Sequence, residues 1–550
     1  MSLLAPTPPA PPKPAPHDPH HAALAAALPR GEAAVREALL GLRGGFAIGL
    51  HDPAHGRSVI AIDRFAVHSL CYRVKDGQLA WDERADRLAG DDAALDPQAV
   101  FDYLYFHCIP SPRTVFEGVQ RLPPGHYAWF EKGRLTVAPY WRPEFEEPAA
   151  ADFTALRGEF RDTLQRAVAE RLDGGVPACF LSGGTDSSTV AGMIGLASGQ
   201  PAHTYSIGFE AEGYDEMAFA RIAAQHFGTR HHEYYVTPDD LVRSIPAVAR
   251  HYDQPFGNSS ALPAYYCAKV ARDNGVTRML AGDGGDELFG GNSRYAKQRV
   301  FDAYRHLPGL LRGGLLEPLL ERTPVGALPL ARKGRSYVEQ AKVPMPDRLQ
   351  MYNLLLRLGI AEVLAPEFLA RVDTQAPARL QREVWAAAGP ASMLNRTLAY
   401  DWRFTLAESD LPKVRGTTAL AGMEVAFPFL DDTLLAFSCR LPTHYKLKGL
   451  KLRWFFKEAL RGFLPDAILT KKKQGFGLPF GVWATRHAPL MALARESLDS
   501  LAGRGIVRPD FIDTLVKRRL PEHPGYYGEM VWILMMLEQW LQAHGSKRWS

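Results

Sequence analysis

The segment FLSGGTDSSTV, residues 180–190, constrains the chain more than any other stretch. A short apolar run from Val176 to Leu181 ends in two glycines, an aspartate and two serines, the pattern of a buried strand that turns directly into a helix. In an open parallel sheet, ligands sit beyond the C-terminal strand ends, where such a turn offers free backbone N–H groups and the positive end of a helix dipole to an anion. Gly183 and Gly184 let the backbone approach phosphate oxygens, and the hydroxyls of Ser182, Ser187 and Ser188 can donate to them. The segment has neither the GK[ST] ending of an ordinary phosphate loop nor the GxGxxG of a dinucleotide fold. Asp186 inside it repels phosphate unless a cation intervenes, which makes it a candidate Mg²⁺ ligand on a polyphosphate.

A second cluster, MLAGDGGDELFGG at 279–291, again sets glycines and acids at the end of a strand-like run. If both strands share one sheet, Asp286 can hold the same cation as Asp186, leaving Asp283 free for another task. Around these loops, strand candidates (VPACFLSG, HTYSIGF, HHEYYV, TRMLAG) alternate with helical segments, one from about 187 and one over 214–227, which predicts an α/β fold with a parallel sheet. Phe153, Leu156, Phe160, Leu164, Val168 and Leu172 form the apolar stripe of a helix leading into it. His231 and His232 point to opposite faces of a strand, so packing is expected of them rather than metal binding. Residues from roughly 295 to 545 read as mainly helical, with Trp532 and Trp540 in the core.

Upstream, residues 44–143 carry short β-like runs between turn residues, and 4–18 are proline-rich and expected to form an extended tail. A length of 550 residues exceeds one core, and we divide it into a tail (1–22), a β-rich domain (23–148) and a larger α/β domain (149–550). With 64 basic against 60 acidic side chains, the net charge of +4 gives no reason to expect nucleic acid or an anionic membrane as partner. Five scattered cysteines, none in a CxxC pair, argue against a disulfide framework or zinc site and for a reducing cytoplasm. Neither an export signal nor a membrane anchor is expected.

Six motifs in order, SGGTDSS, YSIGFE (205–210), GTRHHEYYV (228–236), AGDGGDELFGG, EVAFPFLD (424–431) and KKKQGFGLPFGVW (471–483), resemble the asparagine synthetase family from about residue 150 onward. The resemblance implies a PP-loop ATP pyrophosphatase-type synthetase domain. It also implies activation of a carboxylate, aspartate or similar, as an acyl-adenylate with loss of pyrophosphate, followed by attack of ammonia or another amine. Carried over by position, Ser182, Gly183, Gly184, Asp186, Ser187 and Ser188 cradle pyrophosphate, and Leu181, Ile207 and Gly282 contact the adenosine of ATP. Asp186 and Asp286 hold Mg²⁺, while Asp283, Glu424 and Lys473 are the catalytic candidates. For Lys473 the chemistry agrees, because adenylation concentrates negative charge that a mobile ammonium can neutralise.

The chain departs from the family pattern at Arg415 and Gly416, where an Asp-Arg pair is usual, at Ala426, where arginine is usual, and at Asn292, where tyrosine commonly follows FGG. These positions belong to the acyl-substrate side, so the resemblance bears more firmly on ATP chemistry than on the acid. The upstream segments GGFAIGLHD, IDRFAVHSLCYR and LPPGHYAWF resemble the second half of a class II glutamine amidotransferase (Ntn-type) domain. The chain opens Met1-Ser2 and has no cysteine at that point, so it is expected not to hydrolyse glutamine by itself; the partners expected are ammonia or an amine donor, with a homodimer or a separate amidotransferase or other ammonia source alongside. Two alternatives are an intramolecular amide cyclase of the β-lactam or lasso-peptide macrolactam kind and a non-catalytic binding member.

Overall fold

A computed structural model describes residues 19–90, 93–305, 329–472 and 477–545. The proline-rich segment 4–18 and Lys473 lie outside the described residues. The chain divides into two compact units, one taking in Met1–Asp96 and Ser111–Arg142, the other Pro97–Pro110 and Pro143–Ser546.

In the first unit, strands β1 (Ala47–Asp52), β2 (Arg57–Ile62), β6 (His126–Glu131) and β7 (Arg134–Pro139) pair antiparallel in the order β1-β2-β6-β7. Strands β3 (Cys71–Lys75), β4 (Gln78–Asp82) and β5 (Gln120–Arg121) form a second sheet in the order β4-β3-β5. Alternation along β2 and β6 explains the layering. Val59, Ala61, Tyr127 and Trp129 belong to one core, and Ile60, Ile62, Ala128 and Phe130 to another, closed by Tyr72 and Leu79 of the second sheet. The first core is capped by helices α1 (Pro19–Ala27) and α2 (Glu32–Gly41), which contribute Leu24, Val35 and Leu39. The sequence reading gave no element to this alanine-rich stretch. Its helicity follows from alanine's high propensity and from apolar side chains at helical spacing that find a sheet to cover.

One buried carboxylate ties this unit together. Asp63, 2% exposed, accepts hydrogen bonds from the backbone N–H groups of Phe46 (3.2 Å), Phe65 (3.0 Å), Val67 (3.0 Å) and His68 (3.4 Å). Burial pushes its carboxyl up to about 6, with the four N–H groups pulling the other way. Asp63→Ala leaves those donors unsatisfied and is expected to cost about 3 kcal/mol or more of stability. Thermal or urea unfolding checks this, and a loss under about 1 kcal/mol would contradict the stapling role.

The second unit is built on a five-stranded, all-parallel sheet: β8 (Ala178–Phe180), β9 (His203–Phe209), β10 (Arg230–Val236), β11 (Arg278–Leu280) and β12 (Glu424–Ala426), ordered β10-β9-β8-β11-β12. Four of these are the strands the sequence predicts around the two glycine loops. β12 is the addition: it is as short as β8 and β11 but lacks the glycine-rich turn that marks the end of each of those in the sequence. Helix α3 (Phe153–Ala169), N-capped by Asp152, precedes β8, and α4 (Thr185–Ser198) and α5 (Met217–Phe227) follow β8 and β9. Against the sheet, Ala178, Tyr205 and Met279 pack on Cys267, Ala268 and Ala271 of the helix Ala261–Asp273. His232 stacks on Tyr205 at 4.7 Å between ring centroids, a packing role as expected.

Further along lie the short α6 (Gly285–Phe289), then α7 (Leu411–Leu420), α8 (Trp454–Ala459) and the last helix α9 (Pro524–Ala543). Trp532 and Trp540 on α9 are fully buried, and their indole N–H groups donate to Gly257 O and Tyr252 O, both at 3.0 Å. Among the described residues no helix is long and apolar enough to cross a membrane.

Candidate active site

The strand order reverses direction at β8. β9 and β10 lie to one side of it, β11 and β12 to the other, so β8 and β11 flank a topological switch point. The residues leaving their C-terminal ends are Leu181–Ser188 and Ala281–Glu287, the two glycine-rich clusters. Separate stretches of sequence thus form the two walls of one crevice.

The β8 loop is held by its own hydroxyls. Ser187 Oγ accepts from Ser182 N–H (3.1 Å) and lies 3.0 Å from Ser182 Oγ, which accepts from Gly184 N–H at 3.3 Å. Gly183 adopts φ +69°, and a Cβ there would stand 2.4 Å from Ala220 N and from Phe219 C, so α5 closes on the loop from behind. Leu181 continues the ladder, donating to Tyr205 O and accepting from Ser206 Oγ. β8 pairs with β9 as far as Phe180 opposite Tyr205, and Ile207 lies two residues further along β9. Opposite, Gly282 lets the two loops abut: a Cβ there would lie 2.9 Å from Ser187 N and 3.0 Å from Asp186 C. Ser188 is fully buried, and its Oγ has no hydrogen-bond partner.

Asp186, at the first turn of α4, and Asp286, at the first turn of α6, face one another across the crevice and share a single cation, Arg453. Arg453 Nη1 donates to Asp186 Oδ2 at 2.7 Å, Asp286 Oδ1 at 2.8 Å and Thr185 Oγ1 at 2.9 Å, and Nη2 donates to Asp186 Oδ1. Burial works against the guanidinium charge, but the two carboxylates more than offset it and hold the proton firmly. Two carboxylates that both reach one nitrogen can both reach one metal ion. No group of three or more His, Cys, Asp or Glu among the described residues can hold a metal, so such an ion would need oxygens from its ligand as well.

Asp283 stands apart from this pair. Lys413 Nζ lies 4.0 Å from Asp283 Oδ1 and 2.8 Å from Asp410 Oδ1. Burial pushes the Asp283 carboxyl up to about 6, Lys413 opposing and Asp410 assisting. Lys413 itself is held above its ordinary value: burial alone would lower it, but Asp410 and Asp283 outweigh that effect.

The flanks of Lys473 are anchored next to the same loop. Lys471 pairs with Glu216 at 2.9 Å, and its ammonium sits 4.4 Å from the centroid of Phe219, the residue packed behind Gly183. Gly477 lies beside Tyr214.

Glu424 is not brought to the crevice. As the first residue of β12 it lies at the N-terminal end of the sheet, opposite the loops, where its exposed carboxylate pairs with Arg278 at 2.6 Å. Proximity in sequence to the PFLD segment was its only signal. Sequence reasoning passed over Arg453, Lys413 and Asp410. Arg453 stands in a run of cations and aromatics with no glycine or acid to distinguish it, and the one clue was the need of two facing carboxylates for a positive partner.

The chain combines a parallel-sheet unit that carries two glycine-rich loops at its switch point with a β-rich unit, and its matches to known families make it a carbon–nitrogen ligase. Residues 159–542 match the family described as asparagine synthase, and residues 24–141 match the glutamine amidotransferase domain. The chain belongs to the asparagine synthase family, whose members use ATP. Asparagine synthetase (glutamine-hydrolyzing) 1 of Bacillus subtilis is 24% identical over 517 residues, 93% of this chain and 79% of that protein. A relative from Mycobacterium bovis is 27% identical over 526 residues, 92% of this chain and 77% of its own. Amidase chry2 of Gibberella zeae is 25% identical over 496 residues, 80% of this chain and 70% of its own.

Proposed function

We propose that the chain activates a carboxylic acid with ATP in the crevice between β8 and β11, forming an acyl-adenylate and pyrophosphate, and passes the acyl group to ammonia or an amine. The observation that carries this reading is the meeting of Asp186 and Asp286 on one cation at the switch point, beside the Ser182–Ser188 loop. The loop N–H groups and hydroxyls bind the β- and γ-phosphates, Leu181, Ile207 and Gly282 border the adenosine, and Lys473 neutralises charge on the transferring phosphate. Mg²⁺ held by Asp186 and Asp286 would screen the polyphosphate and polarise the bond between the α- and β-phosphates. Asp283, in contact range of Lys413, borders the place where acid and amine meet, and above about pH 6 its carboxylate is available to take the amine's proton.

The acid is proposed to be larger than aspartate, or to carry its own amine as in an intramolecular cyclisation. The support is the loss of two cations from the acyl-substrate side: Gly416 and Ala426 stand where the family pattern has arginine, and Tyr252 packs so closely on Gly416 that a Cβ there would lie 2.5 Å from its Cε1. Incubation with Mg-ATP and a panel of acids, with and without ammonia, tests both levels. Pyrophosphate and AMP released with aspartate and ammonia, giving asparagine, would remove the second reading. Silence with every acid, together with no ATP binding, would remove the first.

The amine is proposed not to come from glutamine at this chain. All five cysteines are buried, including Cys71 and Cys108 within the segment matched by the amidotransferase domain, so no thiol is open to a glutamine amide. Incubated with glutamine and Mg-ATP, the purified protein is expected to release no glutamate, and ATP-stimulated glutamate release would overturn this.

A further inference from the structure

Arg453 occupies the position between Asp186 and Asp286 that the proposed function gives to a divalent cation, and the surrounding residues are shaped to keep it there. It is the N-cap of α8 with φ +53°, a left-handed backbone conformation, and its side chain reaches into the crevice. The guanidinium lies on Phe456, 3.9 Å from the ring centroid. Glycines make the room: a Cβ on Gly285 would come 3.1 Å from Arg453 Nη2, and one on Gly291 would come 2.6 Å from Arg453 Cδ. The side chain is 5% exposed, yet its Nε–H is buried without an acceptor. A guanidinium with both Nη atoms engaged and Nε orphaned has unspent capacity to bind an anion.

We propose that Arg453 is a resident cation that bars free divalent metal from the Asp186–Asp286 pair and gives way only to metal arriving with a polyphosphate. This rests on the proposed function for the identity of the site. A lone metal ion would have to share two carboxylates with a guanidinium at hydrogen-bond distance, and like charges in so buried a place exclude one another. Pyrophosphate or the tail of ATP supplies the missing negative charge. Arg453 then exchanges carboxylate oxygens for phosphate oxygens, bringing Nε into use, and the carboxylates are released to the metal. Metal and polyphosphate therefore bind cooperatively, and Arg453 acts as a positioning residue for the metal.

The test measures Mn²⁺ binding to the full chain by electron paramagnetic resonance, with no nucleotide present. Arg453→Met, which keeps contact with Phe456 and removes the charge, is expected to bind Mn²⁺ roughly 10-fold or more tighter than the unmodified protein, whereas Arg453→Lys retains the exclusion. Adding inorganic pyrophosphate is expected to tighten Mn²⁺ binding to the unmodified protein and to have less effect on Arg453→Met. Equal Mn²⁺ affinity in the unmodified protein and Arg453→Met overturns the proposal. Should Arg453→Met not fold, the pyrophosphate experiment on the unmodified protein stands alone, and Mn²⁺ binding indifferent to pyrophosphate overturns it. A failure of the functional reading gives a different result: no ATP analogue binds, or Asp186→Asn leaves Mn²⁺ binding unchanged in the Arg453→Met background.

Discussion

Asp186→Asn is expected to lower acid-dependent pyrophosphate release roughly 1,000-fold while leaving the protein folded, since an uncharged amide of the same shape withdraws half of the negative charge that the proposed function offers to a metal on the polyphosphate. The charge on Asp186 is its whole function in this account. Its backbone merely begins α4, and its side chain meets Arg453 rather than capping a helix. The substitution also leaves Arg453 with a single full partner, Asp286, so a modest loss of stability should accompany the kinetic one. Steady-state pyrophosphate release and circular dichroism on the same preparation separate the two effects. A folded variant with turnover within 10-fold of the parent would take Asp186 out of the mechanism.

The second large effect is expected at Gly416→Arg, which restores the residue type usual in the family. The position lies inside α7, and Tyr252 approaches so closely that a Cβ would meet Cε1, Cζ and Oη at 2.5, 2.6 and 2.7 Å. Tyr252 is also fixed, its hydroxyl donating to Lys413 O at 3.2 Å, the carbonyl of the residue that faces Asp283. Gly416→Arg should therefore cost about 3 kcal/mol by overpacking and displace Lys413, abolishing turnover. Combining it with Tyr252→Ala frees the space and is expected to recover part of the stability. Stability within 1 kcal/mol of the parent for Gly416→Arg alone would mean that Tyr252 has somewhere else to go.

Legibility in the sequence followed the kind of signal each element leaves. β8 to β11 are runs bounded by glycines or turn residues, and the two loops between strand and helix combine residue types that few structural needs bring together; both were visible. β12 and the two N-terminal helices were not, because the first, as short as β8 and β11, has no glycine-rich turn after it, and the others hide their apolar spacing in an alanine background. At the crevice, residues that act through backbone shape, such as Gly183 and Gly282, announced themselves. Residues that act by reaching in from elsewhere, Arg453 and Lys413, did not: a long cationic side chain looks the same in sequence whether it ends in solvent or on a carboxylate. Glu424 shows the reverse error, a conspicuous neighbour of a motif whose strand begins at the wrong end of the sheet.

The shared contact of Arg453 also bears on how the chain comes to be folded. Asp186 and Arg453 are 267 residues apart, and Asp286 and Arg453 are 167 apart. During synthesis both acidic loops leave the ribosome long before Arg453, which pairs with both, and the central strands lack β12 until residue 424 has emerged. A nascent or truncated chain ending before residue 424 carries both carboxylates without Arg453 and an open sheet edge beside β11, the condition in which aggregation and chaperone capture compete with folding. Completion of the crevice is thus a late, long-range event in the life of the chain.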